Sequence, residues 1–177
     1  INAFARKAVA GEQRTADLMG FQMQPDIKKE GKIKDVIGQG HVIPVQVAKE
    51  PISQKGPRLT SEVTIAGRYL VLVPFSNKIS LSGRINDDDE RDRLRKLISS
   101  IRPQNMGVII RTAGVGRSAE ELQWDLNYLL QLWEAITKAN EEVKAPALLF
   151  QESNVIIRAV RDYLREDVDQ VLIDSPD

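Results

Sequence analysis

The chain has no cysteine, one histidine and 5% aromatic residues in 177 positions. Without cysteine there are no disulfides and no thiolate metal sites, a pattern suited to a reducing compartment such as the cytoplasm. No Ser/His/Asp or Cys/His arrangement is indicated around His41, and no second His or Cys joins it on a metal. No apolar run approaches ~18 residues, so no helix-forming segment spans a membrane. Net charge is absent too: 25 basic residues balance 25 acidic ones. The totals therefore do not mark a strongly basic nucleic-acid binder. The start, INAFARKAVAGEQ, has neither a Met nor the apolar centre of a signal peptide. It reads as part of something longer.

What is present suffices for a core. Apolar residues make up 42%, and the length suggests one or two compact units. The charge is unevenly spread, with seven basic against three acidic residues from Lys28 to Arg58, and six acidic against one basic from Asp162 onward. A local basic face is compatible with overall neutrality.

HVIPVQVAK, His41 to Lys49, alternates like a strand, but Pro44 cannot donate a ladder hydrogen bond and belongs at an edge or bulge. EPISQKGPRLT is a basic loop. LTSEVTIAG and RYLVLVPF are β-rich, with Gly67 as a bend between them. INDDDERDRLRKLISSI starts a helix whose apolar face is Leu94, Leu97, Ile98 and Ile101. MGVIIRT is a buried strand. Ser118 and Glu121 form a capping box before a long helix carrying Leu122, Leu126, Leu129, Leu130, Trp133 and Ile136 at helical spacing. APALLF and QVLID read as strands on either side of a helix capped by Ser153. From residue 61 onward the pattern is α+β or α/β, and residues 1–60 read as a small β-unit.

The stretch RTAGVGRSAEELQWDL, Arg111 to Leu126, resembles the way a phosphate-binding turn is built. Gly114 and Gly116 permit a tight turn with N–H groups toward an anion. The helix beginning at Ser118 adds amides and positive dipole potential. Arg111 offers a planar fork and Thr112 a hydroxyl. The plainer alternative is a strand–turn–helix junction with a solvated arginine. A triphosphate loop of the form G-x-x-x-x-G-K-[ST] is not met, since Arg111 stands at the first glycine and Arg117 at the lysine.

The run Asp87–Asp88–Asp89–Glu90 reads as helix capping and dipole compensation rather than a metal site. No paired-carboxylate mechanism is indicated. Trp133 reads as core. Phe4, near a loop containing Lys55 and Arg58, has what stacking on single-stranded nucleic acid requires, although a lone phenylalanine is more often core.

Taken together, NAF, KGPRLTSEVTIAGRYLVLVP, GVIIRTAGVGRSAEELQWDL, WEAI and QESNVIIRAVRDYLRED resemble the ribonuclease E/G family of bacterial endoribonucleases, in the family's order and spacing. The match covers most of the chain from Lys55 on and thins before Ile33. The resemblance implies an α+β chain. Residues 1–60 would be a partial OB-fold β-barrel of the S-one type that binds RNA. Residues 61–155 would be an α/β 5′-sensor domain, and residues 156–177 the start of a ribonuclease H-like subdomain.

The resemblance also implies roles. Arg111 and Thr112 would hold the 5′-monophosphate of a single-stranded RNA, while Gly67 and Val71 would touch its first nucleotide. Phe4 would stack on a base and Lys55 would meet the phosphate backbone. A second OB-fold aromatic has no clear counterpart, Phe21 being the candidate. Family members often carry a basic pair just before the position of Ile85, where this chain has Gly83 and Arg84, and Pro44 is unexpected in the OB-fold strand. Cleavage by the family uses Mg2+ held by aspartates, and some members join through Zn2+ and a Cys motif. Both lie downstream of this segment, which is therefore expected to hold no catalytic residue and no metal. The full-length protein is expected to be a homo-oligomer with RNA-decay partners. The alternatives are a non-catalytic RNA-binding regulator on the same scaffold and an α/β domain binding a phosphorylated metabolite.

Overall fold

The computed structural model describes residues 32, 34, 37–152, 155–164 and 167–174. Phe4, Phe21 and Ser153 lie outside the described residues. The chain divides into two compact units, Ile1–Trp133 and Glu134–Asp177. Its mixture of small sheets and helices agrees with the α+β expectation.

In the first unit, β1 (Gln46–Lys49) and β2 (Arg58–Thr60) form a two-stranded antiparallel sheet. The expected strand from His41 is shorter than its sequence pattern. It begins two residues after Pro44, which has no N–H to give a ladder. The ladder slips between Val47 and Lys49. The connection closes on itself, with Ile52 and Lys55 exchanging backbone hydrogen bonds of 3.2 and 3.0 Å.

The larger sheet has four strands: β3 (Ile65–Ala66), β4 (Leu70–Val73), β5 (Ile79–Leu81) and β6 (Gly107–Ile110). Their order is β3-β4-β6-β5, antiparallel except for the parallel β5–β6 pair. A parallel pair needs a long crossover, and α1 (Asp88–Ile101) supplies it, packing against β5. Strand alternation sends Leu70 and Leu72 to one face, where Ile110 and Val108 stand opposite them. All four are buried, as are Leu94 and Ile98 of α1. Leu122, Leu126, Leu129 and Trp133 of α2 (Ala119–Glu142) complete the core. Trp133 meets Phe75 edge to face, centroids 5.4 Å apart.

Both long helices start as their sequences dictate. The Asp87 carboxylate accepts from Glu90 N at 3.1 Å. Ser118 and Glu121 reciprocate, with Ser118 N donating to Glu121 at 2.8 Å and Glu121 N to Ser118 Oγ at 3.2 Å. The acidic run thus caps and compensates the dipole of α1, as expected.

In the second unit, α3 (Val155–Tyr163) carries Arg161 between Glu152, at 2.7 Å, and Asp162, at 3.1 Å. The expected strands at Ala145–Phe150 and Gln170–Asp174 are not formed. A strand needs a hydrogen-bonded neighbour, and among the described residues neither segment has one. Leu172 is correspondingly 89% exposed. Among the described residues no helix is long and apolar enough to cross a membrane.

Candidate functional site

Arg111 follows β6 in extended conformation, φ −76° and ψ 161°. Its side chain therefore shares the sheet face of Ile109, opposite which Val71 lies in β4. Arg111 is half-buried, and Thr112 after it is exposed.

The arginine grips the turn between β3 and β4. Nη1 donates to Gly67 O at 2.6 Å and to Arg68 O at 3.2 Å. The Arg111 backbone N donates to Tyr69 O at 2.8 Å. The other edge of that turn faces α2, where Asp125 Oδ1 accepts from Arg68 N at 2.9 Å. Asp125 Oδ2 accepts from Tyr69 N at 2.9 Å and Leu70 N at 2.8 Å. Gly67 is required by this approach, because a Cβ there would lie 2.6 Å from both Asp125 oxygens.

The Thr112 hydroxyl is 3.0 Å from Ser82 Oγ, which also accepts from Arg84 N at 3.3 Å. Two guanidinium groups, from Arg68 and Arg117, each lie 5.4 Å from the centre of the Tyr69 ring, within reach of its negative face.

The loop after Arg111 differs from the sequence reading. Its glycine-rich pattern predicts amides aimed at an outside anion, yet the protein satisfies them itself. Gly114 N donates to Arg111 O at 2.9 Å and Val115 N to Thr112 O at 3.2 Å. Gly116 N, where φ is +71°, donates to Glu90 at 2.8 Å. Ser118 N is taken by Glu121. Internal carboxylates thus occupy positions that the pattern suggested for a phosphate.

Glu90 anchors this loop. It pairs in two-point fashion with Arg93 at 2.6 and 2.8 Å, and Arg93 also donates to Arg117 O at 3.1 Å. The Arg93 hydrogen bonds, then the Gly116 amide, hold the Glu90 carboxyl down to about 2 from an ordinary 4.5. The Glu90 side chain is 15% exposed and that of Arg93 42%, so solvent screens part of the pair's attraction. A depressed carboxylate stabilises the fold above its unfolded value and loses that contribution as pH falls toward its folded value. We expect Glu90→Gln to cost about 1 kcal/mol at neutral pH, the charged-bond scale reduced by solvent screening. In urea denaturation the gap from wild type should shrink as pH falls from 4.5 toward about 2. A gap independent of pH would show that the carboxylate charge is not what holds the loop.

The structure therefore gathers Gly67 and Arg111 through direct bonds and sets Val71 and Thr112 beside them. Lys55 is exposed in the separate β1–β2 connection. Asp125, Ser82 and Arg93 were not singled out from sequence, and Glu90, read there only as part of the acidic helix start, also binds Arg93 and the Gly116 amide. For Asp125 the available signal was a carboxylate three residues after Leu122 and just before Leu126, at the border of the apolar stripe of α2.

The family model for the Ribonuclease E/G family matches residues 64–177. Ribonuclease E of Escherichia coli (strain K12) is 50% identical over 145 residues, covering 81% of this chain and 14% of that protein. Ribonuclease E of Haemophilus influenzae is 46% identical over 171 residues, covering 96% of this chain and 18% of that protein. Ribonuclease E of Nostoc sp. is 41% identical over 143 residues, or 81% of this chain and 21% of that protein. The chain thus spans about a fifth or less of the length of these relatives. Their similarity, together with a family match across the large sheet and everything after it, makes the chain a member of the ribonuclease E/G family.

Proposed function

We propose that the chain is the RNA-binding, 5′-monophosphate-sensing portion of a single-strand-specific endoribonuclease acting in RNA processing and decay. In this reading residues 1–60 are part of an OB-fold, residues 61–155 the 5′ sensor and residues 156–177 the start of a ribonuclease H-like subdomain. The observation that carries it is Arg111, held at a strand end by the Gly67 and Arg68 carbonyls beside the exposed Thr112 hydroxyl. A 5′-monophosphate carries about two negative charges above a second pKa of ~6. A guanidinium fixed in one plane matches its oxygens, and the Thr112 hydroxyl, 3.0 Å from Ser82 Oγ, adds a further hydrogen-bonding group. Because the nearby loop amides are bound internally, recognition falls on these two side chains. Gly67 and Val71 border the first nucleotide. A triphosphate brings more charge and bulk than this pair can enclose, so the preference comes from misfit.

Phe4 supplies stacking and Lys55 a backbone phosphate contact that weakens with salt. Cleavage belongs to the whole enzyme, with Mg2+ as its metal. The residues in hand do not fit that metal, since Asp87 caps α1 and Glu90 is paired with Arg93. Among the described residues no group of three potential ligands converges. In this reading the catalytic aspartates belong to the rest of the enzyme and this portion alone does not cleave RNA; the oligomer, any zinc link, RNA-decay partners and the cytoplasmic setting belong to the same proposal for the whole protein.

The test compares binding of one short single-stranded RNA bearing a 5′-monophosphate, hydroxyl or triphosphate, with sugar phosphates as competitors. The monophosphate RNA should bind tightest. Arg111→Ala should cost roughly 1.5–3 kcal/mol, the scale of a hydrogen bond to a charged group. Retention of the monophosphate preference by Arg111→Ala would remove the assignment, and preferential capture of sugar phosphates would point instead to a metabolite site.

A further inference from the structure

We infer that Asp125 is the positioning residue of the phosphate site, acting on Arg111 through the backbone of the β3–β4 turn; the inference rests on the 5′-end reading. Three consecutive peptide groups lie between the Asp125 carboxylate and Arg111, two meeting the guanidinium and the third the arginine's backbone N. In the first, Gly67 O accepts from Arg111 Nη1 while Arg68 N donates to Asp125. In the second, Arg68 O accepts from Nη1 while Tyr69 N donates to Asp125. In the third, Tyr69 O accepts from Arg111 N while Leu70 N donates to Asp125. Every peptide dipole therefore points its N–H at the carboxylate and its carbonyl at the arginine. Hydrogen bonds in such chains polarise one another, and each peptide plane is rigid. Where the Asp125 carboxylate sits therefore sets where the three carbonyls point. The Gly67 and Arg68 carbonyls in turn set the plane of the guanidinium that would meet the RNA, while Tyr69 O fixes the arginine's backbone.

The same carboxylate acts on specificity. Successive amides converging on one point form a concavity that attracts anions. Here it lies one residue from the Arg111 contacts, and an RNA phosphate entering it would seat the chain end in the wrong place. Asp125 fills it with a fixed negative charge, and Gly67 leaves no space for a second occupant, since even a methyl carbon would lie 2.6 Å from the carboxylate. The turn is thus closed to phosphate on its amide side and holds the arginine on its carbonyl side.

Asp125→Asn keeps size and shape but turns one amide-accepting oxygen into a donor. The chain and its variants are titrated by fluorescence anisotropy with the same short single-stranded RNA carrying either a 5′-monophosphate or a 5′-hydroxyl. Arg111→Ala should abolish the preference between them. Asp125→Asn should weaken the monophosphate RNA roughly 5–10-fold, the factor for losing about one hydrogen bond, and leave the hydroxyl RNA unchanged. A purely structural role would weaken both RNAs together. If Arg111→Ala loses the preference and folded Asp125→Asn keeps it, the role of Asp125 is wrong and the 5′-end reading stands. If wild type does not distinguish the two RNAs, both fall. Should Asp125→Asn not fold, amide hydrogen exchange in wild type decides. Arg68, Tyr69 and Leu70 amides should remain protected when monophosphate RNA binds, and their release would show that phosphate displaces the carboxylate and would overturn the inference.

Discussion

Gly67→Ala should destabilise the first unit by roughly 2–4 kcal/mol, a large effect for one methyl group. The reason is contact and not backbone conformation, since the φ of Gly67 lies outside the left-handed region. The new Cβ would stand 2.6 Å from both Asp125 oxygens and 2.8 Å from Cγ. Many close contacts are relieved by turning a flexible side-chain end. This one cannot be, because the carboxylate is bound to the amides of Arg68, Tyr69 and Leu70. Either those charge-assisted bonds lengthen or the turn moves off β4. Gly83→Ala is the control, with nothing within 4 Å of its Cβ. Combining Gly67→Ala with Asp125→Ala should recover part of the loss, giving a coupling of about 1 kcal/mol or more in urea denaturation. If Gly67→Ala costs no more than Gly83→Ala, the packing account of this turn is wrong.

Trp133→Ala should cost about 3–5 kcal/mol and lower the melting temperature by on the order of 10 °C. Trp133 is 4% exposed and its ring stands at 85° to Phe75. Removing it leaves a void at the end of the apolar stripe of α2 and strips Phe75 of its edge-to-face partner, itself worth about 0.5–1.5 kcal/mol. Trp124→Ala, on the same helix but 81% exposed, should stay within about 0.5 kcal/mol. The chain has two tryptophans, so fluorescence offers a second reading. Trp133→Ala should leave only the red-shifted emission of a solvated indole. Equal costs for the two substitutions would contradict the placement of the helix.

The burial of Trp133 was legible in sequence, because it falls on the stripe with Leu122, Leu126 and Leu129. The caps of both long helices were legible for the same reason: Asp87 with Glu90 and Ser118 with Glu121 are three residues apart, and local geometry suffices. Strands β4 and β6 were legible from their apolar runs. What escaped was non-local. Strand β5 has three residues and exists by lying parallel to β6. Ala145–Phe150 and Gln170–Asp174 have strand-like composition, but no ladder partner for them occurs among the described residues. In the site, Arg111 and Thr112 stood out by type and by resemblance, whereas Asp125 reaches its amides across 55 to 57 positions. The glycine pattern misled for a related reason. It shows where a loop can turn, and it cannot show that Glu90, 26 residues earlier, will take the Gly116 amide.

Glu90, Glu121 and Asp125 have a joint consequence for the timing of recognition. Each puts a negative charge where a bound anion would otherwise have been needed to order the backbone. The loops around Arg111 are therefore ordered by the chain's own carboxylates, and on the proposed reading they would need no RNA to take their working shape. Binding need not spend free energy on freezing a mobile loop, and free and bound backbones should differ little. On the proposed 5′-end reading, discrimination between chain ends would then be made at first encounter, by a surface that does not reshape itself to suit the wrong one.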